Sequence, residues 1–177
     1  MTRLTGRARR VGDDVNTDYI ISSMRKRETI DEQMLKRYLL EAVDPGFAAS
    51  VRPGELLVAG KNFGCGSAME VAATVILAAG IPAVLAKSFA RSFYRNAINN
   101  GLFPIECDTS DIAEGDAISI ALEESAVVVT NERTGRREVR PPLSGIAGDI
   151  LAAGGLVQYL RREGAFRPRS ADPAGTG

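Results

Sequence analysis

The sequence predicts an α/β fold, a mixed sheet with parallel βαβ units flanked by helices, and three observations carry that prediction. Between Glu55 and Cys107, short apolar runs alternate with longer helical segments. This is the spacing of parallel strands joined by crossover helices. A glycine-rich stretch, Gly60-Lys61-Asn62-Phe63-Gly64-Cys65-Gly66-Ser67-Ala68-Met69-Glu70, lies between one apolar run and the next helix. Such a turn brings backbone amides together where an anion can bind. After Cys107 the pattern changes to three short strand-like runs, with a turn at Asn131 to Gly135 between the last two. These read as an antiparallel addition.

Taken in order, Leu4 to Val11 alternates loosely and predicts a first strand. Gly12 to Asp18 is a turn rich in Asp and Asn, residues that suit tight backbone geometry. Tyr19-Ile20-Ile21 reads as a short buried run and Ser22 to Glu28 as a polar loop. Thr29 to Ala42 places Ile30, Met34, Leu35, Tyr38, Leu39 and Ala42 near a 3.6-residue period, which predicts an amphipathic helix. Leu56 to Ala59 is a buried strand, and Val71 to Ala79 a buried helix. Ala83 to Ala86 is the next strand. Ser88 is expected to cap a helix from Phe89 to about Asn100, ended by Gly101. Leu102 to Cys107 is a strand, as are Ala117 to Leu122, Ala126 to Thr130 and Arg137 to Val139. Leu143 to Ala153 and Leu156 to Arg162 are short helices. One domain over residues 1–163 is expected, followed by a disordered tail over 164–177, rich in Pro, Gly, Ser and Arg.

Composition narrows the function classes. Apolar residues make up 45% and charged residues 25% of 177, ordinary for a globular protein with a proper core. Lys plus Arg equals Asp plus Glu, 22 each, which argues against a general nucleic-acid binder. No apolar segment approaches the roughly 18 residues of a membrane span. Met1 to Arg10 is basic with no apolar run behind it, so no secretory signal is expected and the reading is cytoplasmic. The chain has no histidine and two cysteines, Cys65 and Cys107. That removes most zinc and iron sites and the commonest general base. Two cysteines are too few for an iron–sulfur cluster, so no metal site is expected on this chain.

Four groups of residues are candidates for chemistry. Ser67 opens the S-x-x-E form of a capping box with Glu70. A cap needs neither Gly64 nor Gly66 beside it, and those residues let a backbone or ligand approach closely. An oxyanion at Ser67 would also be stabilised by the amides and dipole of the helix start. That is a way to use a serine as a base without histidine, and both roles can share one residue. Cys65 reads as a small residue fitting a tight turn. Arg91 and Arg95 share a helix face with Ser88. They are either solvated charges or carboxylate ligands, since the planar guanidinium fork matches a carboxylate. Asp18 and the run Arg25-Lys26-Arg27 read as a turn aspartate with a charged surface loop, or as part of a site.

Taken together, these residues resemble the small-subunit family of the aconitase-like hydro-lyases, the short type found in 3-isopropylmalate dehydratase and homoaconitase. The matching pieces are Gly12 to Ile21, Asn62 to Ser67 with Glu70, and Lys87 to Leu102, in the family's order and spacing, within a likeness over about residues 3–163. The resemblance implies a swivelling β/β/α domain that docks on a large subunit carrying a [4Fe-4S] cluster, with no cofactor bound by this chain. There the cluster's open iron acts on the substrate as a Lewis acid. It further implies Ser67 as the base beside Gly66, Asp18 in support, and a substrate-reading arginine after Ile20-Ile21. Arg27 matches best by ungapped count, then Arg25.

The implied reaction is dehydration and rehydration of a 2-hydroxy acid, 3-isopropylmalate first, which belongs to leucine biosynthesis. Homoaconitate, citraconate or a dimethylmalate are alternative substrates, and a non-catalytic binding domain is the rival of another class. Two departures bear on the substrate. The family's loop runs Ser-Ser-Arg-Glu-His, whereas here Ala68 replaces the second serine and Met69 the carboxylate-binding arginine. Either the substrate or another arginine compensates, and Arg91 and Arg95 are both candidates.

Overall fold

The computed structural model describes residues 2–164. Its sheet has seven strands: β1 (Thr2–Arg10), β2 (Leu56–Val58), β3 (Ala83–Ala86), β4 (Phe103–Glu106), β5 (Ala117–Leu122), β6 (Val127–Asn131) and β7 (Arg137–Arg140). They run in the order β4-β3-β2-β1-β5-β6-β7. β1 to β4 are parallel, and β5 to β7 pair antiparallel. β1 joins the halves by splitting its own pairing. Thr2 to Arg7 pair with β5, whereas Ala8 to Arg10 pair with β2.

Alternation along the strands produces three layers. Leu56, Val58, Leu85 and Ile105 point to one face and pack with Ile118, Ile120, Val127 and Val129 of the antiparallel half. The sheet therefore folds over on itself. Leu57, Val84 and Ala86 point to the other face, under helices. Each fully buried Leu or Ile contributes roughly 1.5–3 kcal/mol, so a strand such as β2, buried at every position, has little freedom to slip. This is the expected mixed α/β sheet with β/β/α layering.

The helices are α1 (Thr17–Ile20), α2 (Ser23–Glu28), α3 (Glu32–Leu35), α4 (Phe47–Ser50), α5 (Glu70–Ala78), α6 (Arg91–Asn100), α7 (Ile146–Ala152) and α8 (Leu156–Glu163). The crossover helices α5 and α6 and both C-terminal helices lie where the sequence puts them, within a few residues. α7 and α8 cover α6 through Ile98, Ile150, Leu151 and Tyr159. Past Gly164, the expected tail lies outside the described residues.

The segment between β1 and β2 differs from expectation. Residues 22–28 are not a loop. The Ser22 hydroxyl accepts from the Met24 N–H and starts α2. Residues 29–42 are not one helix either. α3 is followed by a 3₁₀ turn at Lys36–Tyr38, and the chain then reverses at Leu40, φ +57°. Leu39 and Leu40 are both fully buried, and the Leu40 N–H donates to the Ile20 carbonyl at 2.9 Å. Burying two adjacent leucines and tying them to α1 overrides the helical period. Ile30 and Met34, apolar positions in the expected stripe, are exposed, as is Tyr19.

Candidate active site

The three sequence motifs meet at the carboxyl ends of β1, β2 and β3, the edge of an open α/β sheet where ligands bind. Backbone hydrogen bonds stitch them together. The Gly60 N–H donates to the Gly12 carbonyl, and the Lys87 N–H to the Gly60 carbonyl. Further along, the Gly64 N–H donates to the Val15 carbonyl and the Thr17 N–H to the Cys65 carbonyl, both at 2.8 Å. On the other side, the Phe63 N–H donates to the Ser88 carbonyl and the Ala90 N–H to the Phe63 carbonyl. The loop from Gly60 to Glu70 is therefore a fixed strip between two turns.

Two glycines are required by this fit. Gly64 has φ +78°, and a Cβ there would enter the ring of Phe93. Gly66 has φ +90°, and a Cβ would lie 2.5 Å from the Asn16 carboxamide. Asn16 and Thr17 are site-building residues that sequence reasoning left inside a generic turn. Asn16 caps α1 by accepting from the Asp18 N–H, and the buried Thr17 hydroxyl donates to the Ser67 carbonyl at 2.8 Å. The N-cap residue type ahead of Thr17-Asp18 was the available signal.

Ser67 lies exposed on this strip. It is not the helix cap, because Met69 occupies that position and α5 begins at Glu70. Among the described residues the Ser67 hydroxyl has no hydrogen-bond partner, and the N–H groups of Gly66, Ser67 and Ala68 donate to no protein acceptor. Three unpaired amides just before the positive end of a nine-residue helix favour an oxyanion or a carboxylate. Ser88 caps no helix either, as α6 starts at Arg91. Its hydroxyl instead accepts from the Asn62 N–H at 2.8 Å.

Asp18, on α1, is exposed and held by Ser23, whose hydroxyl and N–H donate to one carboxylate oxygen at 2.6 and 3.1 Å. The Ser23 hydroxyl first and its N–H second hold Asp18 below its ordinary pKa; desolvation opposes them less strongly, and the charge of Lys26 adds the smallest lowering effect. Ser23 and Lys26 also reach Met69, with Lys26 Nζ 3.3 Å from the Met69 sulfur. Met69 is buried in the core.

The arginines divide. Arg25 is engaged in structure, pairing through Nε with Glu41 at 2.9 Å and stacking on Tyr38 at 3.9 Å. Arg27, Arg91 and Arg95 are exposed and form no ion pair among the described residues. Arg91 opens α6 next to the Ala90–Phe63 hydrogen bond, and Arg95 lies about one turn further along the helix. Cys107 is buried between the sheet halves, where desolvation first and Glu138 second push its thiol up to about 12. Among the described residues no group of three or more His, Cys, Asp or Glu could hold a metal ion, and no helix is long and apolar enough to cross a membrane.

The aconitase C-terminal domain family matches residues 15–110, a span that holds two of the three motifs whole and the first from Val15 onward. The chain belongs to that family. The small subunit of the methanogen homoaconitase of Methanocaldococcus jannaschii is 46% identical over 159 residues, covering 90% of this chain and 92% of that protein. The 3-isopropylmalate dehydratase small subunit 1 of Methanopyrus kandleri is 45% identical over 163 residues, with 91% and 94% covered. A crystal structure of 3-isopropylmalate dehydratase from M. jannaschii superposes with a TM-score of 0.86 at 43% identity, covering 92% of this chain and 96% of that one. Likeness over nine-tenths of the chain extends well beyond the motifs.

Proposed function

We propose that this chain is the small subunit of a [4Fe-4S]-dependent hydro-lyase acting on 3-isopropylmalate, with Ser67 as its general base. The observation that carries the reading is the exposed, unpartnered Ser67 hydroxyl beside the free amides of Gly66 to Ala68. Deprotonated Ser67 takes the proton from the carbon next to the hydroxyl-bearing one. The C–H and C–OH bonds break, a C=C bond forms, and the departing hydroxide takes one proton from solvent to leave as water, while Ser67 later returns its proton to solvent. Re-addition of water with the hydroxyl on the neighbouring carbon gives the isomer. The amides and the start of α5 stabilise the serine oxyanion before the transfer. Asp18 supports the site as a carboxylate, and the unpaired Arg27 reads the variable end of the substrate.

The cluster belongs to the large subunit, because this chain's donor set does not suit it. Cys107 is buried and held as a thiol, which leaves Cys65 as the single loop cysteine. The relatives' designation as small subunits supports a large partner. Ala68 and Met69 support a second reading, the same chemistry on homoaconitate or a methylated malate.

Co-production with the large subunit, followed by assay of 3-isopropylmalate, homoaconitate, citraconate and dimethylmalate, tests both readings. Turnover of 3-isopropylmalate is expected. Turnover of another acid alone selects the second reading, and no turnover of any of them overturns both.

A further inference from the structure

We infer that Lys26 binds a substrate carboxylate in this enzyme, supplying a cation beside the loop position where Met69 provides none; the inference rests on the hydro-lyase reading above. Lys26 Nζ stands 3.3 Å from the Met69 sulfur. A thioether is a weak acceptor and cannot neutralise an ammonium. No carboxylate lies within ion-pair distance of Lys26 among the described residues. The amine is nonetheless well placed, because α2 is fixed at its start and at its middle. Ser22 caps it and Ser23 is tied to Asp18, while Arg25 is locked to Glu41 and Tyr38. Fixing Arg25 on that side turns Lys26, the next residue, toward Met69.

Lys26 also lines an open groove of about 520 Å³ with Ile30, Ala68, Met69, Glu70 and Val71, a volume in the range of small-molecule sites. Ala68, the neighbour of Ser67, adds little bulk to the groove at its own position. The acidic groups facing Lys26 are Asp18, whose pKa it lowers, and Glu70 and Glu32 in the groove wall. This mixed field suits the single charge of a carboxylate better than a phosphate dianion. The apolar side chains of Ile30 and Val71 offer contact to an alkyl portion.

The test uses the complex with its large subunit. Equilibrium binding of malate, as a non-isomerisable dicarboxylate probe, is measured by calorimetry alongside kcat and KM for the acid that turns over. Lys26→Met is expected to weaken malate binding and raise KM roughly ten- to a hundredfold, with a smaller change in kcat. Lys26→Arg is expected to retain most of the affinity, and Lys26→Met combined with Met69→Arg to restore part of it. Unchanged malate binding and KM in a folded Lys26→Met complex would overturn the inference while leaving the hydro-lyase reading intact. Malate binding lost on Lys26→Met, in a complex that turns over none of the acids, would keep the carboxylate site and overturn the reaction. A wild-type complex that neither binds malate nor turns over any acid would overturn both.

Discussion

Ser23 donates twice to Asp18, through its hydroxyl at 2.6 Å and its backbone N–H at 3.1 Å. This pair ties the turn after β1 to the start of α2 and so sets where Lys26 and Met69 meet. It also keeps Asp18 ionised at lower pH than an ordinary aspartate, with the hydroxyl bond as the largest cause. A depressed carboxylate pKa contributes stability that is present above the unfolded value near 3.9. That contribution is lost as pH falls through the folded value. Ser23→Ala is expected to move the Asp18 pKa upward toward the ordinary value, read from its carboxyl carbon shift in an NMR titration. The acid limb of kcat/KM is expected to move in the same direction. A titration superimposable on wild type would show that the hydroxyl does not set this pKa.

Ser67→Ala separates a base from a structural residue. Loss of a helix cap costs about 1 kcal/mol, but Met69 holds that position here and the Ser67 side chain is exposed. No measurable change in thermal stability is expected. Activity of the complex is expected to fall by about 10²–10⁴, the usual contribution of a positioned general acid or base. Full activity in Ser67→Ala would leave the serine without a role in proton transfer.

The sheet was legible because its strands are short apolar runs separated by helices at clear period, and each strand's two faces are dictated by burial. The meeting of the three motifs was legible only through the family resemblance, since the hydrogen bonds joining Gly12, Gly60, Lys87 and Ser88 span distant sequence positions. Residues 22–42 were misread for a physical reason. A helical period was present from Ile30 to Ala42, yet burial of Leu39 and Leu40 required a reversal that local propensity does not encode. The same segment hid Ser23 and Lys26 in what looked like a solvated charge run, because only the fold of α2 shows which of its charges face the loop.

Arg25 and Arg27 are two residues apart but do different work. Arg25 holds α2 onto Glu41 and the Tyr38 ring, whereas Arg27 has no ion-pair partner among the described residues. Arg25→Ala is expected to lower the melting temperature and to loosen α2, visible as faster amide exchange in residues 23–28. Arg27→Ala is expected to leave melting unchanged and to alter KM selectively among acids that differ in their variable end. Equal effects of the two substitutions on both readouts would contradict this division.

Gly64 carries two structural demands at once. Its φ of +78° is a conformation that L side chains rarely adopt, and its Cα faces the Phe93 ring so closely that a Cβ would overlap it. Phe93 cannot easily move aside, since it is buried, packs edge-on against Phe63 with centroids 5.0 Å apart and stacks with Phe89 at 6.1 Å. Gly64→Ala therefore combines backbone strain with overpacking, together about 2–5 kcal/mol. For a chain of this size that corresponds to a fall of about 4–20 °C in melting temperature. Gly12→Ala is the matched control: it lies in the neighbouring turn, its φ is not positive, and nothing lies within 4 Å of an added Cβ. Thermal melts of the two variants should differ by most of that range. Equal melting temperatures would mean that the aromatic cluster yields to the loop, and that Gly64 does not anchor the strip on which Ser67 stands.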